Sequence, residues 1–302
     1  MSKLKAETRP LTEPLPGGGE AGTAVKVEPL LGGSILAPPQ FFAGKPGRFA
    51  LLRMLGLGTP KSRWWLIPIP VYLITHPTAG PVLVDTGFHG SVAAKPAANL
   101  GSLTARFAKP RIEPGRDIPS QLRERGIEDL KTVVMTHLHF DHASGIAEYP
   151  DATFVVSKAE WEAATTDPRP FLRGYRPAHY DYLFDYRTID FDGPGVSSYA
   201  SFGRTFDLFG DGSVRMAYTP GHSAGHCAVV CRLSDRDLVI ASDAIYLSSQ
   251  LEGGEGQPRP VDMHLWKRSL RELQQFAQTY PRAEILPGHD PERWKTVQKI
   301  YE

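Results

Sequence analysis

Residues 136–142 are Thr-His-Leu-His-Phe-Asp-His. A buried strand is predicted at 132–136, and it runs directly into the histidines. Imidazole and carboxylate groups are the ligands that Zn²⁺ and similar cations take when no thiolate is used. His137 and His139 project from one face of an extended segment because they are two residues apart, and the following turn can aim Asp141 and His142 at a second position. The run therefore predicts a metal centre at the end of a strand.

Three later segments each place a candidate ligand directly after a predicted strand. His222, Asp243 and His289 follow, in this order, the strands predicted at 213–218, 237–241 and 284–286. Together with the first run they make five histidines and two aspartates, more than the three protein ligands of a single catalytic zinc. Such a set suits two ions about 3.5–4 Å apart, bridged by a carboxylate and a hydroxide. The sequence therefore predicts a two-metal hydrolase.

Periodicity in the rest of the chain predicts sheets covered by helices. Further apolar runs predict strands at 66–75, 81–84, 153–157 and 227–233. Helical spacing and boundary residues predict helices at 118–125, 158–164, 263–280 and 292–301. Asp262 is the expected N-cap of the third of these. Residues 166–196 are aromatic, proline-rich and irregular, which favours a cover or a substrate wall.

The N-terminal part of the chain carries few structural signals. Residues 1–25 are rich in proline, glycine and charge without periodicity, and predict a flexible tail. Residues 26–302 are predicted to form a single domain. Within them, residues 49–58 (FALLRMLGLG) form an apolar segment without a motif, suited to the wall of a pocket or to a dimer surface.

Composition excludes several classes of protein. The chain has 34 basic and 33 acidic residues, and this balance gives no electrostatic footprint for nucleic acid or an anionic membrane. No apolar stretch reaches the length of a signal peptide or a membrane span, so we expect a cytoplasmic protein. Cys227 and Cys231 are four residues apart in a predicted strand, hence roughly 13 Å apart. A disulfide requires less than about 7 Å, so buried free thiols are expected.

The chain resembles the metallo-β-lactamase superfamily from about residue 67 to residue 289. The resemblance rests on the 137–142 run and on Val-Asp-Thr-Gly at 84–87, TPGHSAGH at 219–226, Ser-Asp at 242–243 and Pro-Gly-His-Asp at 287–290. It implies an α+β fold, an αββα sandwich of two mixed β-sheets with helices on the outer faces. It also implies the ligand sets, which are His137, His139 and His222 for one ion, Asp141, His142 and His289 for the other, and Asp243 as the bridge. Asp85 would orient one of these ligands.

Within the superfamily, Tyr246 narrows the resemblance. The chain resembles the N-acyl-homoserine lactone lactonases in having a tyrosine three residues after the bridging aspartate. The segments at 139–143 and 288–292 resemble that family as well. True zinc β-lactamases commonly use cysteine or lack a bridging aspartate where Asp243 stands. Ribonuclease Z-like nucleases need a basic surface, which the balanced charge of this chain does not indicate. Diiron members have Glu at the position that matches His139 and add a flavin domain, and this sequence shows neither feature.

The lactonase resemblance implies a reaction and a substrate. A metal-bridging hydroxide would open the lactone ring of an N-acyl homoserine lactone, which is quorum quenching, while Tyr246 stabilises the oxyanion and Asp141 passes a proton to the leaving alkoxide. Phe140, with aromatics from 166–196, would line a pocket for the apolar acyl chain. Zinc is the expected metal, although iron, manganese and cobalt accept the same ligands. The expected partner is thus a small-molecule lactone, without nucleic acid or membrane. A homodimer and a related activity, that of a glyoxalase II-like thioesterase, another lactonase or an esterase, are left open.

Overall fold

The computed structural model describes residues 4–44 and 47–302. Within these residues, thirteen strands form two sheets. The strands are β1 (Thr8–Pro10), β2 (Lys26–Ala37), β3 (Trp65–His76), β4 (Gly80–Val84), β5 (Thr132–Val134), β6 (Thr153–Ser157), β7 (Asp185–Ile189), β8 (Val196–Tyr199), β9 (Phe202–Asp207), β10 (Val214–Tyr218), β11 (Cys227–Arg232), β12 (Asp237–Ser242) and β13 (Glu284–Pro287).

Eight α-helices lie in the same described residues. They are α1 (Ala50–Met54), α2 (Pro96–Leu100), α3 (Ser102–Ala108), α4 (Ile118–Arg123), α5 (Phe140–Ala143), α6 (Lys158–Thr166), α7 (Met263–Thr279) and α8 (Pro291–Trp294). The long helix α7 begins as predicted, because the Asp262 side chain accepts the backbone N–H groups of His264 and Leu265 at 2.8 and 2.9 Å. This cap satisfies two donors that have no partner within the helix.

Both sheets are mixed, as predicted. The first has the strand order β1-β7-β6-β5-β4-β3-β2, with parallel pairing from β1 to β4 and antiparallel pairing of β3 with its two neighbours. The second has the order β13-β12-β11-β10-β9-β8, in which β12 and β13 are parallel and the other pairs are antiparallel.

Alternating side chains explain why the sheets lie between layers of helix. In β4, Val82 and Val84 belong to the core between the sheets, whereas Leu83 belongs to the outer core that contains residues of α4 and α6. In β12, Ile240 faces the inner core and Val239 the outer core that contains residues of α7. Successive strand residues point to opposite faces, so each sheet is buried on both sides. The layers are therefore α, β, β, α, and the predicted fold class is confirmed.

The N-terminal segment differs from the predicted flexible tail. Thr8–Pro10 forms a strand that pairs in parallel with β7, and Leu11 and Val25 are buried in the inner core. The backbone N–H of Gly19 donates to the carboxylate of Asp211 at 2.7 Å. A three-residue edge strand has no periodicity, so composition alone does not reveal it. Residues 1–3 of the predicted tail lie outside the described residues.

Two other predictions were wrong. The helix expected at 292–301 ends at Trp294, because Tyr301 exchanges backbone hydrogen bonds with Val27 at 2.8 Å and holds the chain extended. The segment 166–196, expected to be an irregular wall, contains β7, and Tyr180 and Tyr186 are fully buried in the outer core of the first sheet. Tyr180 and Tyr186 therefore fill the core, whereas Tyr175 of the same segment packs against His139, with 5.1 Å between the ring centres.

The predicted state of the cysteines is confirmed. Cys227 and Cys231 are both buried free thiols in β11. Burial raises the pKa of both thiols, which makes them poor nucleophiles. No helix of the described residues combines the length and the apolar composition that crossing a membrane requires.

Candidate metal centre

The predicted ligands converge because their strands end at the same edge. In the first sheet, β4 and β5 are parallel, and Asp85 and the 137–142 run follow them. In the second sheet, β12 and β13 are parallel, and β10 points the same way because both β10 and β12 run antiparallel to β11. His222, Asp243 and His289 follow these three strands. Seven candidate ligands thus meet where the carboxyl ends of both sheets come together.

The first cluster contains His137, His139, His222 and Asp243. Nε2 of His222 lies 2.9 Å from Nδ1 of His139 and 3.3 Å from Oδ2 of Asp243. Nε2 of His137 lies 3.6 Å from the same carboxylate oxygen. These are distances between ligand atoms that face a common point.

The second cluster contains Asp141, His142 and His289. Nε2 of His289 lies 3.5 Å from Oδ2 of Asp141 and 3.2 Å from Oδ1 of Asp243. Nε2 of His142 lies 3.8 and 3.6 Å from the same two oxygens. Asp243 therefore turns Oδ2 towards the first cluster and Oδ1 towards the second, which is the arrangement of a bridging carboxylate.

These separations fit metal ions. Two ligand atoms that each lie 2.0–2.1 Å from a tetrahedral ion are about 3.4 Å apart, close to the distances in both clusters. Nε2 of His137, Nε2 of His142 and Oδ1 of Asp243 are buried and make no hydrogen bond within the described residues. Buried polar atoms without a partner cost folding free energy, and bound cations would remove that cost. The residues therefore fit two cations.

Hydrogen bonds on the outer side of each ring fix the tautomer that a metal requires. In the second cluster, Nδ1 of His142 donates to Asp85 at 2.7 Å, and Nδ1 of His289 donates to the carbonyl of Pro68 at 2.9 Å. In the first cluster, Nδ1 of His222 donates to Oε1 of Gln257 at 3.1 Å. Each acceptor lacks a hydrogen of its own, so the proton must be on Nδ1. In the neutral form of each ring, Nε2 therefore carries the lone pair, and it faces the centre.

The two clusters differ in charge. Burial, together with neighbouring imidazoles, lowers the pKa of His137 and His139 well below the usual value, and burial lowers the pKa of His222. Burial also disfavours the charged form of His142, but the carboxylates of Asp85, Asp141 and Asp243 outweigh it and raise its pKa to about 10. Asp243 and Asp141 likewise raise the pKa of His289 despite its burial. The first cluster therefore presents neutral imidazoles, whereas the second attracts positive charge.

A comparison with known proteins identifies the fold family. The family model of the Metallo-beta-lactamase superfamily matches residues 64–289. The chain belongs to this superfamily. The match includes every residue of both ligand clusters, and the superfamily resemblance predicted from the sequence is confirmed.

Curated relatives are named for one activity. The N-acyl homoserine lactonase AttM of Agrobacterium fabrum is 32% identical over 248 residues, which cover 78% of this chain and 87% of the relative. An N-acyl homoserine lactonase of Bacillus thuringiensis is 27% identical, with 77% and 85% covered. A solved N-acyl homoserine lactone hydrolase, with N-hexanoyl-L-homoserine bound at its catalytic metal centre, has a TM-score of 0.71 at 22% identity and covers 91% of this chain and 97% of its own. That likeness shows the superfamily fold.

Asp85 is located where its predicted orienting role requires. Its carboxylate accepts hydrogen bonds from the backbone and the hydroxyl of Thr136 at 2.8 and 2.7 Å, besides the one from His142. Its φ of 62° is left-handed, and Ser242, beside Asp243, has a φ of 45°. Non-glycine residues rarely adopt this conformation, and in many proteins such strain accompanies functional sites.

Sequence reasoning missed two buried polar residues beside this superfamily centre. Glu160 in α6 accepts the backbone N–H of Leu138 at 3.0 Å through Oε1, and the hydroxyl of Ser223 and the N–H of Gly225 at 2.7 and 2.9 Å through Oε2. It thereby ties the loop of His137 and His139 to the loop of His222. The sequence gives no sign of this, since Ser157-x-x-Glu160 is the pattern of an ordinary helix cap.

Gln257 is the second missed residue. Its Oε1 accepts the proton of His222, and its Nε2 donates to the backbone carbonyl of Asp243. It is buried within an irregular glycine- and proline-rich stretch. An isolated glutamine in such a loop belongs to no motif, so only the structure identifies it.

Tyr246 lies at the rim of the centre. Its hydroxyl is 3.2 Å from Nδ1 of His222, and its ring packs edge-on against Phe42 and next to His289. Burial and the nearby carboxylates of Asp243 and Asp141 raise its pKa well above the usual value, so the phenol stays protonated. The partly buried Phe140 packs against the same apolar cluster that contains Tyr246.

Proposed function

We propose that this chain is a hydrolase that opens the lactone ring of N-acyl homoserine lactones, a quorum-quenching activity. The observation that carries the proposal is the relation to the AttM lactonases, which extends over 87% of the relative's length. The seven assembled ligands and the phenol at the rim of the centre support it.

The first cluster would hold one divalent cation and the second another, with Asp243 shared between them. Such ions supply a hydroxide nucleophile at neutral pH and a Lewis acid for the carbonyl oxygen. Histidine and aspartate without cysteine favour zinc, and iron, manganese and cobalt accept the same ligands. Metal analysis of the purified protein should find close to two ions per chain.

Tyr246 would stabilise the oxyanion that forms at the lactone carbonyl. Nδ1 of His222 directs its hydrogen to Gln257 and lies 3.2 Å from the Tyr246 oxygen, so the phenol oxygen can accept but need not donate there. Its own hydrogen is free for a substrate oxygen. A donor held in place before the reaction gains most when charge develops on its acceptor.

Asp141 would carry the proton to the leaving group. Ring opening would form a bond from the attacking hydroxide oxygen to the carbonyl carbon and break the bond from that carbon to the ring oxygen. The Asp141 carboxylate would take the proton of the hydroxide and pass it to the resulting alkoxide. The Asp141 carboxylate belongs to the second cluster, and its side chain retains 10% exposure, more than the 4% of Asp243. It is therefore the ligand carboxylate that substrate and water reach more easily.

An apolar cluster beside the centre would hold the acyl chain. It contains the buried side chains of Phe42, Val92, Leu100 and Tyr246, with the partly buried Phe140 packed against it. Apolar walls next to a few directed polar groups are typical of small-molecule sites.

A pH-stat assay tests the proposal, since each opened lactone releases one proton. The metal-loaded enzyme would be given N-acyl homoserine lactones of several chain lengths, a glutathione thioester and a β-lactam. We expect turnover of the lactones. Rapid turnover of the thioester without turnover of the lactones would instead identify a glyoxalase II-like enzyme. The cytoplasmic location and the homodimer stay predictions.

A further inference from the structure

Charge is segregated along the chain although the total is nearly balanced. Residues 29–112 contain nine lysine and arginine residues and a single acidic one, Asp85, which is buried beside the metal centre. Exposed basic residues in this stretch are Arg48, Lys61, Arg63, Lys95, Arg106 and Arg111. The near-zero net charge of the whole chain therefore conceals a basic region.

The same region exposes large apolar side chains. Phe49 and Leu57, which flank α1, are 58% and 66% exposed. Others on this stretch are Leu51, Leu52, Leu55, Trp65, Leu66, Leu103 and Phe107. Scattered exposed apolar residues are normal, but a concentration of this kind marks an interaction surface.

Contacts around Trp64 show that the end of α1 and the end of α3 lie close together. A side chain on Gly56, just after α1, would lie 2.5 Å from the Trp64 ring, and Nζ of Lys109, just after α3, lies 4.5 Å from the centre of that ring. The guanidinium of Arg48 lies over the Phe49 ring at 5.9 Å. Basic and apolar groups are thus interleaved. We call residues 48–66 and 103–111, apart from those that are buried, the basic apolar face.

We infer that the basic apolar face docks on the surface of a membrane that contains anionic lipid. Aromatic and aliphatic side chains beside lysine and arginine are the combination that binds at such a surface, since the apolar groups enter the headgroup boundary and the cations meet the anionic phosphates. The binding is peripheral and requires no membrane-spanning helix.

Charge argues against the other occupants. In a symmetric dimer, the same face of a second copy would bring like charges together across the interface. Nucleic acid would match the cations but leave the exposed leucines without a partner.

Apolar residues beneath the face, among them Ala37 and Ile67, belong to the cluster that contains Tyr246, so docking places the centre near a lipid surface. This inference concerns binding and stands apart from the proposed hydrolysis.

Vesicle co-sedimentation tests the inference on the full-length, metal-loaded protein. We expect pelleting with vesicles of phosphatidylcholine and phosphatidylglycerol, weakening at high salt, and little with phosphatidylcholine alone. Lys61→Gln with Arg63→Gln should lower the partition coefficient roughly 25-fold, since each cation contributes about fivefold. Phe49→Ser with Leu57→Ser should lower it at least about tenfold.

Matched controls alter similar residues elsewhere. Leu183→Ser removes a side chain that is 81% exposed, and Lys267→Gln removes an exposed cation of α7, so both should pellet like the wild type. Unchanged pelleting of the face variants would overturn the inference, as would equal pelleting with neutral vesicles. A dimer that Phe49→Ser with Leu57→Ser dissociates, without vesicle binding, would assign the face to a second copy. Binding of duplex DNA or RNA without vesicle binding would also contradict it.

Discussion

The two clusters of histidines on either side of Asp243 have different surroundings. The first side has His137, His139 and His222, and the second has His142 and His289. On the first side, imidazoles face imidazoles and their pKa values are lowered. On the second side, Asp85 and Asp141 add carboxylates, and the pKa values are raised. Two ions that share a bridge would therefore bind with different dependence on protons and on supporting residues.

The largest effect is expected where the clusters meet. Asp243→Ala removes the one residue that contributes to both clusters, so metal content should fall below one ion per chain. Lactone turnover should drop about a thousandfold, because the Lewis acid contributes several kcal/mol to transition-state stabilisation. Elemental analysis and the pH-stat assay measure the two quantities. Asp235→Ala, at an exposed aspartate, is the control, and two retained ions would exclude the bridging role.

Tyr246→Phe leaves both clusters intact and removes only the hydroxyl. We expect kcat to fall about a hundredfold, the usual effect of losing one oxyanion donor. Metal content should stay at the wild-type value. A variant with unchanged kcat would show that Tyr246 merely packs against Phe42 and His289.

Asp85→Asn should affect the second cluster more than the first, because Asp85 bonds His142 directly and reaches His137 only through the Thr136 hydroxyl. The amide cannot accept from both Thr136 and His142 as the carboxylate does, so His142 loses its fixed orientation. Metal affinity of the second cluster should fall about 10- to 100-fold, and that of the first cluster by less. Stepwise calorimetric titration resolves the two events, with the exposed Asp151→Asn as control. Equal weakening of both steps would contradict the separation of the clusters.

Gln257→Leu is the matching change on the first side. It deprives His222 of the acceptor that fixes its tautomer, and we expect about tenfold weaker binding in the first cluster. Gln274→Leu, which removes a hydrogen bond to the Leu251 carbonyl away from the centre, should bind metal normally. If Gln257→Leu instead weakened metal binding in the second cluster, the assignment of His222 to the first cluster would be wrong.

Proton release distinguishes the clusters without mutation. With a pKa of about 10, His142 is protonated at neutral pH in the metal-free protein and must lose this proton to bind a cation. The neutral imidazoles of the first cluster have no proton to lose. Calorimetry in buffers of different ionisation enthalpy should therefore detect release of the His142 proton when the second cluster fills, and lowering the pH should weaken that step more. A first-cluster step that lower pH weakens as much as the second-cluster step would refute the difference in charge.

The sequence singled out the candidate ligands, which the structure brings together, but not the buried polar residues beside them. Each candidate ligand stands in a short motif after an apolar strand, and parallel strands bring their carboxyl ends together. Glu160 and Gln257 act at a distance in the chain, and neither lies in a pattern that differs from an ordinary helix cap or loop. Such contacts depend on tertiary packing, which local sequence does not encode.

The fold shows the same division. The strands at 81–84, 227–233 and 237–241 were predicted because they are short apolar runs. Strand β2 was missed because Gly32 and Gly33 interrupt its alternation, where the register against β3 shifts. A side chain on Gly32 would lie 2.9 Å from Cα of Gly87, so the close approach of two chains requires the glycine. Aromatic residues around β7 suggested a wall, although their alternation is that of a buried strand.

Anomalous diffraction from crystals grown with zinc tests the central claim most directly. Two peaks should lie about 3.5–4 Å apart on either side of the Asp243 carboxylate. One should contact His137, His139 and His222, and the other Asp141, His142 and His289. A single peak, or a second peak away from Asp243, would contradict the two-metal centre.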